Sequence, residues 1–502
     1  MAADPIPEVI PAPLSVAGVA GGTDLDPATF RAAAHRVVDL MADYLEGLED
    51  YPVLPKVAPG TIRGLFPASP PEEPVALEQV LADFESLVLP NATHWQHPGF
   101  MAYFPSTASG PGILGEMLTA TLAQNPMLWR TSPVGTELEQ VVVDWLRQAL
   151  GLPGSFDGLL TDTASTSSLI ALAAAREAAG LDVAGRGLSG RDDLSGGIRV
   201  YASAEAHSSI ERACMTLGLG RESLHRIAVN ERYELEPEAL AAAIAEDRAS
   251  GRIPIAIVAT IGTTSSTSVD PVAAIARIAA AEQLWLHVDA AYAGPVALLP
   301  ARRGPFAGWE EADSIVLNPH KWLFTPLDAS LLLSRRMGQL QAAFSLRPEY
   351  LRTLDQENPG RDYSEYQPQL GRRFRALKLW IVLRTFGLVG IRDRINAHLG
   401  LAAEFSSWID ADPDWERLAR TRFSTVCFRF RPTSVPDEVE LDELNAELMA
   451  AVNRTGEVFL SHTLLAGRFT IRLAIGNLRT EERHVARAWE VLRREAARLV
   501  AR

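Results

Sequence analysis

The sequence predicts an α/β protein with a mostly parallel sheet, and three observations predict it. Short aliphatic runs at residues 198–202, 253–259, 284–288 and 314–317 alternate with stretches of helical periodicity, the signature of strand–helix–strand units. Each run is apolar enough to be buried on both faces, as parallel strands are. Each also leads into polar residues at its carboxyl end: His207, then Thr263 and Thr264, then Asp289, then Asn318 with His320 and Lys321. The intervening helices carry their own start signals. Ser208 with Glu211 reads as a capping box, and Asp270 before Pro271 opens an apolar-periodic segment that runs to Glu282.

The flanks differ in character. Residues 1–24 form a tail rich in Pro, Ala and Gly, with Asp4 and Glu8 where a signal peptide carries basic residues. Residues 25–109 read as an N-terminal helical arm. Asp26 is the expected N-cap, Pro27 takes the first helical position, and a second amphipathic segment spans residues 77–88. An aromatic-rich loop follows at residues 94–105. The large domain is expected at 110–389 and a small α+β domain at 390–502, the latter with strand-like runs at 424–430 and 468–475 and a closing helix at 480–500. A chain of 502 residues suits this division, at roughly 150 residues per domain.

Composition removes several function classes. Lys plus Arg number 47 against 62 for Asp plus Glu, a net charge of −15, so there is no basic footprint for nucleic acid. No apolar run reaches membrane-spanning length. Cys214 and Cys427, the two cysteines, make neither a disulfide framework nor a metal set, and the expected setting is the reducing cytoplasm. Small-molecule chemistry is left.

Ligands of open α/β sheets bind beyond the carboxyl ends of the strands, so the polar residues there should meet in one crevice. Singly they have plainer meanings: a Lys near a strand end is usually a solvated charge, an Asp a cap or turn residue, a His a satisfied core group. Together, a lysine, a strand-end carboxylate, a histidine and several hydroxyls are the parts a pyridoxal phosphate site requires. The lysine amine joins the cofactor aldehyde as a Schiff base, and the carboxylate keeps the pyridine nitrogen protonated. Residues 163–168, Thr-Ala-Ser-Thr-Ser-Ser, precede a helical pattern and supply a helix start for the phosphate.

The blocks Asn318-Pro-His-Lys-Trp322, His287-Val-Asp-Ala-Ala-Tyr292 and Ala206-His-Ser-Ser209 resemble those of the group II pyridoxal-phosphate-dependent decarboxylases, closest to the aromatic-L-amino-acid decarboxylases. The likeness runs from about residue 95 to 485, with further blocks at Ala102-Tyr-Phe-Pro105, Thr136-Glu-Leu-Glu139 and Gly371-Arg-Arg-Phe-Arg375. It implies the fold type I, aspartate-aminotransferase-like architecture and a homodimer with active sites at the subunit interface. By resemblance, Lys321 is the Schiff-base lysine, Asp289 the partner of the pyridine nitrogen and His207 the ring-stacking group. Ala164, Ser165, Asn318 and His320 hold the phosphate, and Thr264 lies near the cofactor. Family members carry a mobile loop whose Tyr protonates the substrate carbon after carbon dioxide leaves. The matching loop is expected between Arg347 and Gln369, with Tyr363 as that residue and Tyr366 as its substitute. Phe at this place goes with aldehyde synthases, Tyr with simple decarboxylation.

The same resemblance places Trp95, Tyr103, Phe104, Pro105 and Met127 in the substrate pocket and Arg472 at the substrate carboxylate. An indole or phenol side chain suits this pocket. Asp328, and the absence of an extra basic residue in the pocket blocks, speak against an acidic substrate. Two departures stand out. Where many relatives read Gly-Ser-Ala-Ser-Glu-Ala, this chain reads Asp162-Thr-Ala-Ser-Thr-Ser167, and Asn125 and Met127 replace more apolar or aromatic groups. The expected reaction is decarboxylation of an aromatic L-amino acid to the amine. An aldehyde synthase and a decarboxylase of non-aromatic amino acids are the alternatives. A dinucleotide oxidoreductase fits poorly: the Gly-x-G-x-x-Gly match at residues 185–190 lacks a strand before it and a helix after it. His94 and His97 have metal-like spacing, but Pro98 follows and no third ligand is evident.

Overall fold

The computed structural model describes residues 24–346 and 360–501. Helix α1 (Pro27–Glu46) opens as the sequence predicts, with the Asp26 carboxylate accepting the Ala28 and Thr29 N–H groups at 2.9 and 3.1 Å, so the first free donors are satisfied. Helix α2 (Leu77–Asp83) passes directly into a π-helical turn, Phe84–Val88. After the aromatic loop, α3 (Gly110–Leu122) and α4 (Pro133–Leu150) lead into the first strand.

The large sheet has seven strands: β1 (Asp157–Thr161), β2 (Ile198–Ser203), β3 (Leu224–Ile227), β4 (Ile253–Thr260), β5 (Trp285–Asp289), β6 (Ser314–Leu317) and β7 (Ser330–Ser334). Their order is β1-β7-β6-β5-β4-β2-β3. β3, β2, β4, β5 and β6 run parallel, and β7 lies antiparallel between β6 and β1. Alternate residues serve two cores: Tyr201, Ile257, Leu286 and Ile315 face one layer, and Val200, Val258 and Trp285 the other. This double burial explains the near-continuous apolar runs. The crossovers carry α5 (Ala164–Ala178), α6 (Val183–Arg186), α7 (Ser208–Thr216), α8 (Pro237–Ala249) and α9 (Val272–Ala281). Then come α10 (Pro319–Trp322), α11 (Met337–Phe344) and α12 (Arg375–Ala411).

Two start signals work differently from expectation. The N-cap of α7 is His207, whose side chain accepts the Ser209 N–H, so Ser208 is already helical and the Ser208–Glu211 box does not form. Asp270 does not cap α9. Its carboxylate is buried and accepts the N–H groups of Leu235 and Thr260 at 2.9 and 2.8 Å, fastening a loop to the end of β4. In both cases a long-range or neighbouring partner takes the group that local spacing assigned.

A second, antiparallel sheet is formed by β8 (Trp415–Arg417), β9 (Thr425–Phe430), β10 (Ser461–Leu465) and β11 (Arg468–Ala474), in the order β10-β11-β9-β8. Helices α13 (Glu438–Thr455) and α14 (Glu482–Val500) accompany it. Val485, Ala488, Val491 and Leu492 of α14 pack in one core with Val426, Phe428, Ile471 and Leu473 of the sheet. Helix α12 spans the expected domain boundary, and its non-helical residue is Gly387 at φ 60, ψ 170, a conformation open to glycine.

One buried ion pair locks the approach to the sheet. Arg372 donates to Glu139 of α4 at 2.6 Å and to the carbonyl oxygens of Leu160 and Pro126, while the same Glu139 oxygen accepts the Leu160 N–H at 2.8 Å. Both side chains are almost wholly buried. Removing one partner strands the other charge, so Glu139→Ala is expected to lower stability by about 3–5 kcal/mol, measured by urea unfolding; a loss below about 1 kcal/mol would contradict this reading.

Candidate active site

Four strand ends and one helix start build a cavity of about 200 Å³. From β5 comes Asp289, the last residue of the strand, whose Oδ1 accepts the Ala291 N–H at 3.0 Å and is thereby aimed. Directly after β6, Asn318 precedes Pro319, and the short α10 presents His320 and Lys321; proline at a first helical position needs no N–H partner and lets the turn be immediate. After β4, Gly262 takes φ 87, and a Cβ there would meet Ala293 Cβ at 2.8 Å. That turn therefore passes close to the β5 turn and delivers Thr264. His207 follows β2. Opposite, β1 ends at Thr161, and Thr163 caps α5, leaving Ala164 and Ser165 at the wall.

All eight residues expected at the cofactor line this one cavity: Lys321, Asp289, His207, Ala164, Ser165, Thr264, Asn318 and His320. Thr163, Thr260, Gly262, Ala291 and Tyr292 join them. Tyr292 lay inside a quoted block without a role, and no local pattern could give it one: its ring reaches the cavity by stacking on Phe104, centroids 3.8 Å apart. Gly262 and Thr163 were legible in principle, as the glycine of a strand-end turn and the cap of α5.

The electrostatics favour a pyridoxal phosphate site. Burial pushes the Lys321 amine below its usual pKa, with Arg472 in the same direction and Asp289 against, so the nucleophilic neutral form is more accessible. His320 Nδ1 accepts the Ala329 N–H at 3.0 Å, and burial lowers its pKa to about 3. The neutral ring then carries its proton on Nε2, a donor suited to a phosphate oxygen. His207 Nδ1 likewise accepts the Ser209 N–H, at 3.1 Å. Burial lowers the His207 pKa, with Asp289 opposing, and a neutral imidazole is suited to stack on a cationic ring. The Asn318 Oδ1 and Thr260 Oγ1 atoms are buried without a partner among the described residues, as expected where a polar ligand completes the bonding. The Asp162 carboxylate is engaged with the Thr163 N–H at 2.6 Å, which accommodates the extra charge beside the phosphate wall.

The substrate group is only partly gathered. Phe104 lines the cavity, with the Lys321 Nζ 5.1 Å from its ring centroid. Arg472, on β11, is buried with its guanidinium 5.2 Å from the same ring. It donates to the Ser265 carbonyl and to Ser461 Oγ, and its Nη2 has no partner among the described residues. Pro105 is buried nearby in sequence, whereas Trp95 and Tyr103 are 40% and 53% exposed. Met127 does not line the cavity, and its carbonyl accepts the Ser364 N–H.

Tyr363 requires a correction. Residues 347–359 of the expected lid lie outside the described residues, but Tyr363 is described and does not reach the cavity. It is fully buried in the core beside α5 and α11, its ring under the Arg372 guanidinium at 4.4 Å. Tyr366, its substitute, packs edge-on against it and does not line the cavity either. Aromatic burial and a cation–π contact use this tyrosine as core.

A doubly covered mixed sheet, with a lysine and a carboxylate lining one cavity at its strand ends, fits a pyridoxal phosphate enzyme of fold type I. Residues 59–431 match the pyridoxal-dependent decarboxylase conserved domain. Over 485 residues the chain is 41% identical to the phenylacetaldehyde synthase of Arabidopsis thaliana, covering 95% of this chain and 97% of that one. It is 40% identical to tryptophan decarboxylase 2 of Oryza sativa subsp. japonica, covering 97% and 99%. A crystal structure of Oryza sativa TDC with PLP and tryptamine superposes with a TM-score of 0.91 at 36% identity, covering 95% of this chain and 99% of that one. The chain belongs to the pyridoxal-dependent decarboxylases, and it is a pyridoxal-phosphate-dependent amino-acid decarboxylase. No helix among the described residues is long and apolar enough to cross a membrane.

Because Tyr363 is buried in the core and does not line the cavity, Tyr363→Phe is expected to leave the ratio of amine to aldehyde unchanged. Chromatographic product analysis checks this, and a new aldehyde product would restore Tyr363 to the chemistry.

Proposed function

We propose that this enzyme removes the carboxyl group of an aromatic L-amino acid and releases the amine. The observation that carries the reading is the opposition of Lys321 to the Phe104–Tyr292 aromatic wall inside the cavity that also holds Asp289 and His207. A relative that is a tryptophan decarboxylase and another that is a phenylacetaldehyde synthase support an aromatic side chain.

When bound, pyridoxal phosphate supplies an electron sink for the pair left on the substrate Cα as carbon dioxide departs. Asp289 would hold a proton at the ring nitrogen and so keep that sink effective. His207 would pack against the ring. Ala164, Ser165, Asn318 and His320 hold the phosphate with the N–H groups at the start of α5, and Thr264 flanks the ring. Lys321 would anchor the cofactor through its amine. Arg472, with one free pair of donors, orients the substrate carboxylate. Trp95, Tyr103, Pro105 and Met127 are assigned to the outer part of the side-chain pocket.

A homodimer accounts for the exposure of that outer part. Leu114, Leu118 and Leu122 form one stripe on α3, each more than half exposed, and Val134 of α4 is 59% exposed. An apolar stripe of this kind marks a protein contact, and a second copy seated on it covers Trp95 and Tyr103 as well. Both cysteines are free and buried, which supports placement in the reducing cytoplasm. The small domain is proposed to begin beyond the break in α12.

Leu118→Glu is expected to shift the protein to monomers and abolish turnover, as read by sedimentation velocity alongside an assay; an active monomer would refute the shared site. A second reading, aldehyde synthesis, is favoured by the 41% identity to the Arabidopsis enzyme. Incubation with a panel of amino acids, following carbon dioxide, amine, ammonia and peroxide, separates the two. Amine equal to carbon dioxide from an aromatic amino acid is expected. Ammonia and peroxide in proportion to carbon dioxide would overturn simple decarboxylation.

A further inference from the structure

His398, far from any quoted motif, lies at a junction between the lysine segment and the aromatic loop. The indole N–H of Trp322, the residue after Lys321, donates to His398 Nδ1 at 2.9 Å. An indole nitrogen is only a donor, so Nδ1 must be the accepting atom and the proton resides on Nε2. Nε2 then donates to the Asn477 carbonyl at 3.1 Å. The ring is buried, nearly parallel to the Trp322 indole at 12°, and its burial lowers the pKa to about 4. Both nitrogens are thus committed and the tautomer is fixed.

Asn477 carries the contact onward. Its side-chain amide donates to the carbonyl oxygens of Trp95 and His97 at 3.2 and 2.8 Å. The residues after it continue along the same loop: Thr480 Oγ1 donates to the Pro98 carbonyl at 2.8 Å, and an Arg479 nitrogen donates to Gln96 at 3.2 Å. The other end of that loop is held by rings. Trp322 stacks on Tyr292 with centroids 5.0 Å apart, and Tyr292 stacks on Phe104. The loop is therefore held against the lysine segment by the hydrogen-bonded path through His398 and by the aromatic stack.

We propose that His398 is a positioning residue that sets the distance between the substrate-facing loop and the Lys321 segment, and so governs the fit of the amino-acid side chain. The inference rests on the substrate reading given above, since it assigns His398 to the pocket that Phe104 begins. None of its contacts involves the phosphate wall or Asp289, so its loss should weaken the fit of the substrate side chain more than cofactor affinity.

His398→Phe keeps a flat ring of similar volume and removes both hydrogen bonds; His398→Gln keeps an acceptor and a donor on one planar group. In the Phe variant, KM for an aromatic amino acid and the Kd of the holoenzyme for an aromatic amine, read from the cofactor absorbance, should both rise about tenfold. The affinity of the apoenzyme for pyridoxal phosphate and kcat should change by less than about threefold, and the Gln variant should recover part of the loss. Should the Phe variant not fold, Asn477→Ala cuts the next link and should give the same split. Unchanged KM and amine affinity with only a lowered Tm, or an equal loss in cofactor and amine affinity, would overturn the proposal. A wild-type protein that binds pyridoxal phosphate but no aromatic amine would instead remove the substrate reading.

Discussion

The structure depends on parallel strands that end together. β6, β5, β4 and β2 are successive hydrogen-bonded parallel neighbours in that order, so their carboxyl ends form one rim. Chain segments far apart in sequence deliver His207, Thr264, Asp289 and Lys321 to that rim. The antiparallel β7 and β1 extend the sheet on the side of β6, and β1 places the start of α5 across the cavity from the lysine. Once this rim exists, side chains placed just past different strand ends share one cavity.

The polar network around the rim divides into satisfied and waiting groups. Buried groups with structural work are held by protein partners: Asp270 between two N–H groups, Arg372 through its terminal nitrogens on Glu139 and two carbonyls, His398 between Trp322 and Asn477. Groups left over in the same region, Asn318 Oδ1, Thr260 Oγ1 and the Arg472 Nη2, lie at or beside the cavity. Buried polar atoms are rarely left without partners. The three at or beside the cavity are placed to bond a polar ligand there.

The sequence was legible where burial on both faces made a run apolar throughout. The run at 314–317 is β6 to the residue, and those at 198–202, 253–259 and 284–288 lie within one residue of β2, β4 and β5 at each end. β1, β3 and β7 were not singled out, and of these β3 is an edge strand of four residues with two partly exposed positions, His225 and Arg226. In the small sheet β9 and β11 were legible, whereas the short β8 and the half-exposed β10 lack an apolar run. Within the site, the polar residues after the strand ends and the family resemblance together located the eight expected residues that line the cavity. Tyr363 misled because nothing local distinguishes a loop tyrosine aimed at solvent from one buried under Arg372. Tyr292 and His398 were missed for the converse reason, that stacking and tautomer fixing arise only between distant segments.

The central claim is that Lys321 is the residue that binds the cofactor aldehyde. Borohydride reduction of the protein with pyridoxal phosphate, followed by digestion and peptide mass analysis, tests it most directly. A loss of visible absorbance with a single phosphopyridoxyl label on the Lys321 peptide is the predicted result. A label elsewhere, with Lys321 unmodified, would contradict the account.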